Sequence, residues 1–139
     1  MTKLALIDTS YLYALYNRRD RNHKAALAFS QSTDFMPVIL DVILPEVTFL
    51  FLRDVGYGGV VRFLKSLTKT GLSLTPIMND DVKRASEIMG MYQSAEFDLV
   101  DAVIMSVAER VKISQICIFD RRDFAIYRPD HVDYFTLLP

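Results

Sequence analysis

Short runs of consecutive apolar residues alternate along this chain with segments of helical periodicity, and this alternation limits the possible folds most strongly. A short unbroken apolar run is typical of a strand that is buried on both faces of a sheet. We predict four such strands and a last, edge-like strand: Lys3–Ile7, Pro37–Leu40, Leu72–Thr75, Gln115–Phe119 and Tyr134–Leu138.

Helical segments fill the intervals between these strands. Pro45 marks a helix start, because its fixed φ suits the first turn and its missing N–H is not needed there. Gly56, Gly58 and Gly59 separate that helix from the next, which stops at Gly71. We predict helices over about 10–17, 25–29, 46–55, 60–69, 79–92 and 98–110. This order predicts an α/β fold, a three-layer sandwich with helices on both faces of a mainly parallel sheet.

Composition sets the class of protein. With 139 residues, 51% of them hydrophobic and 24% charged, the chain suits a single globular domain covering residues 1–139. The formal net charge of −1 argues against a protein that coats nucleic acid through bulk charge, but not against an enzyme with a local basic patch. No apolar stretch has the length of a signal peptide or a membrane span, so we expect a cytoplasmic protein without membrane contact.

Acidic residues stand where the predicted strands end or the predicted helices begin: Asp8, Glu46, Asp98, Asp101 and Asp120. Taken singly, each has a structural explanation as a helix cap or a turn residue. Strand C-termini and the N-termini of crossover helices lie at the same edge of such a sheet, however, so all five acids should converge there.

A cluster of like charges predicts a bound cation. Crowded carboxylates raise each other's pKa, and a hard divalent ion such as Mg²⁺ or Mn²⁺ relieves the repulsion through oxygen ligands. The Cys and His spacing of a zinc site is absent from the sequence.

The same residues resemble the motifs of PIN domains, in particular the VapC-type toxins of bacteria and archaea. The resemblance covers nearly the whole chain, in the family's order and spacing. No single motif is specific, but the ordered set of four is. It consists of Leu6–Ser10, Pro45–Val47, Asp98–Ala102 and Phe119–Phe124.

This resemblance implies a role for each acid. Asp8, Glu46 and Asp101 match the first three acids of the family's metal site, and Asp120 matches the fourth. Asp98 matches an acid that only some members have. The implied catalytic set is therefore Asp8, Glu46, Asp101 and Asp120, and the implied metal ligands are Asp8, Asp98, Asp101 and Asp120.

The activity implied by the resemblance is that of an Mg²⁺- or Mn²⁺-dependent endoribonuclease, the toxin of a type II toxin–antitoxin pair. Its expected products carry 5′-phosphate and 3′-hydroxyl ends. Ser10 matches a hydroxyl near the site that could orient water or phosphate, although a helix N-cap explains it equally well. Asp123 is expected to cap the short turn around Phe124.

Two basic clusters follow turns of the chain. Arg121 and Arg122 lie next to Asp120 and could guide RNA toward the metal, since arginine pairs well with phosphate. The other cluster, Arg18–Lys24, is interpreted as solvated surface.

The predicted helix from Glu46 to Val55 is apolar nearly all round, so a second buried face is expected. Either the core is deep at this helix or it meets another chain. The resemblance favours a homodimer and a small antitoxin as partners.

Other functions fit less well. A haloacid-dehalogenase-type phosphatase needs a second Asp two residues after the first, where this chain has Ser10. A receiver domain needs paired acids near the first strand and a late Lys. A non-catalytic interaction module of the PIN type would not need every acid of the site.

Overall fold

The structure, a computed structural model, describes residues 3–139. Its strands are β1 (Lys3–Ile7), β2 (Phe35–Val38), β3 (Gln115–Cys117) and β4 (Thr136–Leu138). Its helices are α1 (Thr9–Tyr16), α2 (His23–Ser32), α3 (Leu44–Asp54), α4 (Tyr57–Lys69), α5 (Asn79–Met91), α6 (Leu99–Val111) and α7 (Arg122–Ile126). Short 3₁₀ turns span Asp41–Ile43 and Gln93–Ala95.

Within the described range the strands form a four-stranded sheet in the order β2-β1-β3-β4, and every pairing is parallel. Ala5, Leu6 and Ile7 are consecutive in β1 and all are buried. Successive side chains of a strand point to opposite faces, so both faces of the sheet are covered. The predicted α/β architecture is thereby confirmed.

The predicted strand Leu72–Thr75 is wrong. Only Thr75 pairs, in an isolated parallel bridge with Leu40. Its N–H donates to the carbonyl of Ile39, and its carbonyl accepts from the N–H of Asp41. Directly after Leu40 the chain enters the 3₁₀ helix that starts at Asp41, so the pairing does not extend beyond this bridge.

The second strand is shifted from the predicted Pro37–Leu40 to Phe35–Val38 because it pairs in register with β1 from Lys3 onward. β3 and β4 are shorter than predicted and begin at Gln115 and Thr136. The short helix α7 is a further difference, since the sequence pattern does not predict it.

The corner between α3 and α4 depends on one glycine. Gly56 has a φ of +98° and is the last residue before α4. Gly58 and Gly59 lie inside α4, so this helix starts three residues before the predicted Val60. A Cβ on Gly59 would lie 2.6 Å from Cγ1 of Val55, so the absence of a side chain lets α4 approach the end of α3.

A buried polar cluster connects the C-terminal segment, through Tyr127 and Asp130, to α5 and α6. Glu109 accepts hydrogen bonds from Nε of Arg84 (2.8 Å), from the hydroxyl of Tyr127 and from the N–H of Asp130 (2.8 Å). Each carboxylate oxygen thus has a partner, as a buried charge requires. Among residues 3–139, no helix has both the length and the apolar character needed to cross a bilayer.

Two glycine substitutions should change stability in opposite directions. Gly56→Ala places a side chain at positive φ and should lower the free energy of unfolding by about 1–2 kcal/mol. Gly90→Ala, on the open surface of α5, should raise it by about 0.5–1 kcal/mol because alanine favours the helix. Urea unfolding of both variants is the measurement. Equal effects would contradict the role given to Gly56.

Candidate active site

A cavity of about 450 Å³ opens at the edge of the sheet where β1 and β3 end. All five predicted acids line it, and no lysine or arginine of residues 3–139 does. We call it the acidic cavity, and its lining is Asp8, Thr9, Ser10, Pro45, Glu46, Phe49, Leu50, Asp98, Asp101 and Asp120. The expected convergence of acids from separate segments is therefore found, whereas their individual roles stay predictions.

Asp8 is the most buried of these acids, with 5% of its surface exposed. It caps α1, since its Oδ2 accepts hydrogen bonds from the N–H of Ser10 (2.9 Å) and from the Ser10 hydroxyl (2.6 Å). Burial raises the pKa of Asp8 from 3.8 to about 6, and the charges of Glu46 and Asp120 add to the rise. The hydrogen bonds from Ser10 act in the opposite direction.

Ser10 connects the two strand ends. Its hydroxyl donates to Asp8 and accepts from the N–H groups of Phe119 (3.0 Å) and Asp120 (3.2 Å). The helix N-cap is Asp8, so the alternative interpretation of Ser10 as the cap was wrong. The only proton of the Ser10 hydroxyl is donated to Asp8. Ser10 thus holds Asp8 and the backbone of Asp120 in position.

Glu46 is half-buried and is held by a residue that sequence reasoning missed. The Thr9 hydroxyl donates to Oε1 of Glu46 at 2.7 Å, across 37 positions of sequence. Burial raises the pKa of Glu46, the bond from Thr9 lowers it, and the charge of Asp98 raises it. The only signal for Thr9 in the sequence was a hydroxyl residue directly after the strand-end acid.

Asp98 and Asp101 have different environments although they belong to one helical turn. Asp98 is exposed and caps α6, accepting the N–H of Asp101 at 2.8 Å. Burial raises the pKa of Asp101 far above 3.8, and the hydrogen bond with Asp123 and the charges of Asp8 and Asp98 raise it further.

Asp123 contacts this site rather than capping a turn. Its side chain forms no cap to α7, which corrects the expectation from the sequence. It raises the pKa of Asp101 and forms an ion pair with Nη1 of Arg122 at 2.7 Å. Asp123 is not one of the residues that line the acidic cavity.

Arg121 and Arg122, predicted to bind substrate, do not line the acidic cavity. Arg122 donates to the carbonyl of Ala95 at 3.1 Å and to Asp123, and Arg121 donates to an oxygen of Pro139. Both guanidinium groups therefore have partners within the chain.

The donors of the acidic cavity suit a hard divalent cation. They are carboxylate and hydroxyl oxygens, with no histidine or cysteine among them. Among residues 3–139, no group of three His, Cys, Asp or Glu side chains is close enough together to hold one ion. The donor set therefore fits Mg²⁺ or Mn²⁺ in type, and coordination requires the carboxylates to rotate toward one another.

The raised pKa values predict how stability depends on pH. In the unfolded chain, Asp8 and Asp101 lose their protons near pH 4, whereas in the folded chain they keep these protons to higher pH. Rising pH therefore destabilises the metal-free fold. Asp101→Asn should remove part of this loss. It should be more stable than the wild type by more than about 1 kcal/mol at neutral pH in EDTA.

This difference should shrink toward about pH 4, where both states hold the proton. The exposed Asp133 lies outside the cavity, so Asp133→Asn serves as the control. Urea unfolding across pH measures the difference. A variant that is less stable than the wild type at neutral pH would refute the account of the carboxylates.

Comparisons with known proteins agree with this geometry. Ribonuclease VapC26 of Mycobacterium tuberculosis is 26% identical over 134 residues, which is 96% of this chain and 99% of that protein. The structure resembles that of VapC20, a sarcin–ricin loop cleaving toxin of the same organism (TM-score 0.80, 23% identity, 94% of this chain and 98% of that one). A toxin–antitoxin complex from Klebsiella pneumoniae has the same fold (TM-score 0.66, 20% identity, covering 95% and 99%). The family model of the PIN domain matches residues 5–129, and the chain therefore belongs to the PIN domain family.

Proposed function

We propose that this protein is a metal-dependent endoribonuclease that hydrolyses RNA phosphodiester bonds. One observation carries the proposal: separate segments of the chain deliver five carboxylates to one cavity, and burial raises the pKa of three of them. Carboxylates held together in this way lower the stability of the fold, and carboxylates with raised pKa values in one cavity are expected at a functional site. Membership of the PIN family and a curated relative that is named a ribonuclease support the choice of RNA.

The metal is proposed to be Mg²⁺ or Mn²⁺, held by Asp8, Asp98, Asp101 and Asp120. When bound, the ion would lower the pKa of a water and stabilise negative charge on the scissile phosphate. Asp8 and the backbone N–H of Asp120 are already linked through the Ser10 hydroxyl, so these two residues are held close together. Asp98 and Asp120 are the more adjustable ligands, because both are exposed and Asp98 forms only one hydrogen bond, with a backbone N–H.

Glu46 is proposed as the acceptor of the proton from the attacking water. Its raised pKa makes it a better base than an ordinary glutamate, and the Thr9 hydroxyl fixes its direction. The water oxygen would form the new bond to phosphorus while the 3′-oxygen leaves and takes up a proton. The products would then be a 5′-phosphate and a 3′-hydroxyl.

Other functions have weaker support. The PIN assignment removes the phosphatase and receiver-domain alternatives. No feature of the described residues favours a non-catalytic module, because every acid expected of the family's site lines the cavity.

We further propose that the protein is the toxin of a toxin–antitoxin pair, acts in the cytoplasm and forms a homodimer through α3. Val47 and Phe51 are buried on one face of this helix, whereas Phe49 and Leu52 are 61% and 52% exposed. A two-fold contact is a common way to bury such a surface, and an antitoxin could cover apolar residues nearby. A monomeric mass in light scattering at high protein concentration would contradict the homodimer.

Substitutions in the acidic cavity test the proposed activity. Asp8→Asn, Glu46→Gln and Asp101→Asn should each abolish most RNA cleavage in Mg²⁺ or Mn²⁺, with circular dichroism unchanged. Double variants should lose little more than single ones, because the residues of one metal site act as a unit. Cleavage of a labelled single-stranded RNA, with and without EDTA, is the measurement.

The controls are Glu96→Gln and Asp133→Asn, two exposed acids outside the cavity. They should retain the wild-type rate. Modest losses that add up across variants would instead mean that the acids have separate surface roles, and cleavage that persists in EDTA would exclude the metal.

A further inference from the structure

The acidic cavity cannot attract an RNA backbone by itself, because its lining contains five carboxylates and no basic residue. Binding of a polyanion depends largely on contacts between Lys or Arg and phosphates. A ribonuclease with this site therefore needs basic groups along the route by which the RNA enters. The need for such groups rests on the ribonuclease function proposed above.

We propose that the RNA backbone follows a groove that leaves the acidic cavity beside Ser10, passes the loop between α1 and α2, and ends against α4. We call it the arginine groove, after the five arginines along its walls: Arg18, Arg19, Arg21, Arg53 and Arg62.

The groove consists of adjacent depressions, and each shares lining residues with the next. The first, of about 490 Å³, shares Ser10, Leu50 and Asp120 with the acidic cavity. The second shares Tyr13, Asp20 and Arg21 with the first.

A third depression, of about 460 Å³, completes the path to α4. It shares Asn17, Arg19 and Val55 with the second and adds Arg18 and Arg62. An RNA strand that follows these adjacent depressions would thus reach the carboxylates.

The charges of the groove favour phosphate. Four of its arginines, all but Arg53, form no ion pair within residues 3–139 and are exposed. Unpaired guanidinium groups can turn toward phosphate oxygens, with which arginine forms strong bidentate hydrogen bonds.

The two acids that line the groove outside the acidic cavity already have partners. Asp54 pairs with Arg53 at 2.8 Å and accepts from the hydroxyl of Tyr13. Asp20 accepts the N–H of Asn22 at 2.9 Å. The groove therefore keeps an excess of positive charge outside the acidic cavity.

This assignment reverses the expectation from the sequence. There the cluster Arg18–Lys24 was interpreted as solvated surface, and Arg121 and Arg122 were expected to guide RNA. In the structure, Arg122 donates hydrogen bonds to Ala95 and Asp123, and Arg121 donates one to Pro139. The cluster near α1 has the unpaired arginines and the open path to the cavity.

The test measures how binding of a labelled single-stranded RNA depends on salt, by fluorescence anisotropy in EDTA so that no cleavage occurs. Each lost phosphate contact should reduce the slope of log K against log salt by about 0.7. The variants Arg18→Gln/Arg19→Gln and Arg21→Gln/Arg62→Gln should therefore each lower it by about 1.4.

The matched control is Lys65→Gln/Lys69→Gln. It removes the same amount of charge from exposed positions of α4, the helix that carries Arg62, but outside the groove. Its slope should stay close to that of the wild type. Equal losses in control and groove variants would overturn the proposal, because only the net charge would then matter.

A cleavage assay separates this proposal from the proposed activity. The groove variants should raise KM for long RNA and leave kcat unchanged, while cleavage of a dinucleotide, too short to enter the groove, stays the same. If the arginine variants show the predicted losses of slope but the wild-type protein never cleaves RNA, the activity would be refuted and the groove supported.

Two results would refute the groove. One is a wild-type protein that does not bind single-stranded RNA. The other is arginine variants that bind RNA like the wild type, which would assign these exposed arginines to another occupant, such as an acidic protein segment.

Discussion

The parallel pairing of β1 with β3 determines where the chemistry of this molecule lies. Leu6 pairs with Ile116 and Ile7 with Cys117, and the N–H of Asp8 donates to the carbonyl of Cys117 at 3.0 Å. Both strands therefore end at the same level, which places the residues after them side by side. The hydroxyl of Ser10 connects these two ends, so a shift in register would separate Asp8 from Asp120 and break the Ser10 bonds together.

In the absence of a bound cation, carboxylates gathered in this way act against folding. The pKa values of Asp8, Glu46 and Asp101 rise through burial and repulsion by nearby acids, which means that the charged state of these three is disfavoured. In two ion pairs elsewhere in the fold, the pKa of the acid is lowered instead. Glu109 bonded to Arg84 and Asp81 bonded to Arg110 both have lowered pKa values, and they join α5, α6 and the C-terminal segment away from the cavity.

The contrast between these clusters separates structure from function. Arg84 and Arg110 supply the positive charge that stabilises one set of acids, whereas the acidic cavity has no basic residue in its lining. Positive charge near the cavity lies instead in the arginine groove, where it is available to a substrate. Carboxylates for a metal and guanidinium groups for phosphates are thus neighbours without neutralising one another.

Local patterns in the sequence predicted the elements well where a single segment determines the outcome. The helix start at Pro45, the buried strand ending at Ile7 and the placing of acids at one edge all follow from patterns within a few residues. The segment from Leu72 to Thr75 resembles a strand locally, but its partner turns away after one bridge.

Contacts between distant segments were beyond sequence reasoning. The bond from Thr9 to Glu46 and the contact of Asp123 with Asp101 join residues that no local pattern connects. Likewise, nothing in the order of the residues distinguishes the unpaired arginines near α1 from Arg122, because the difference lies in which partners the fold brings to each.

We propose that acids from separate segments share one divalent ion. A crystal structure of the protein grown with Mn²⁺, with anomalous diffraction data, tests it most directly. We expect an anomalous peak in the acidic cavity, with oxygens of Asp8 and Asp101 at the roughly 2 Å typical of such ions. A peak elsewhere, or none in the cavity at saturating Mn²⁺, would contradict the account.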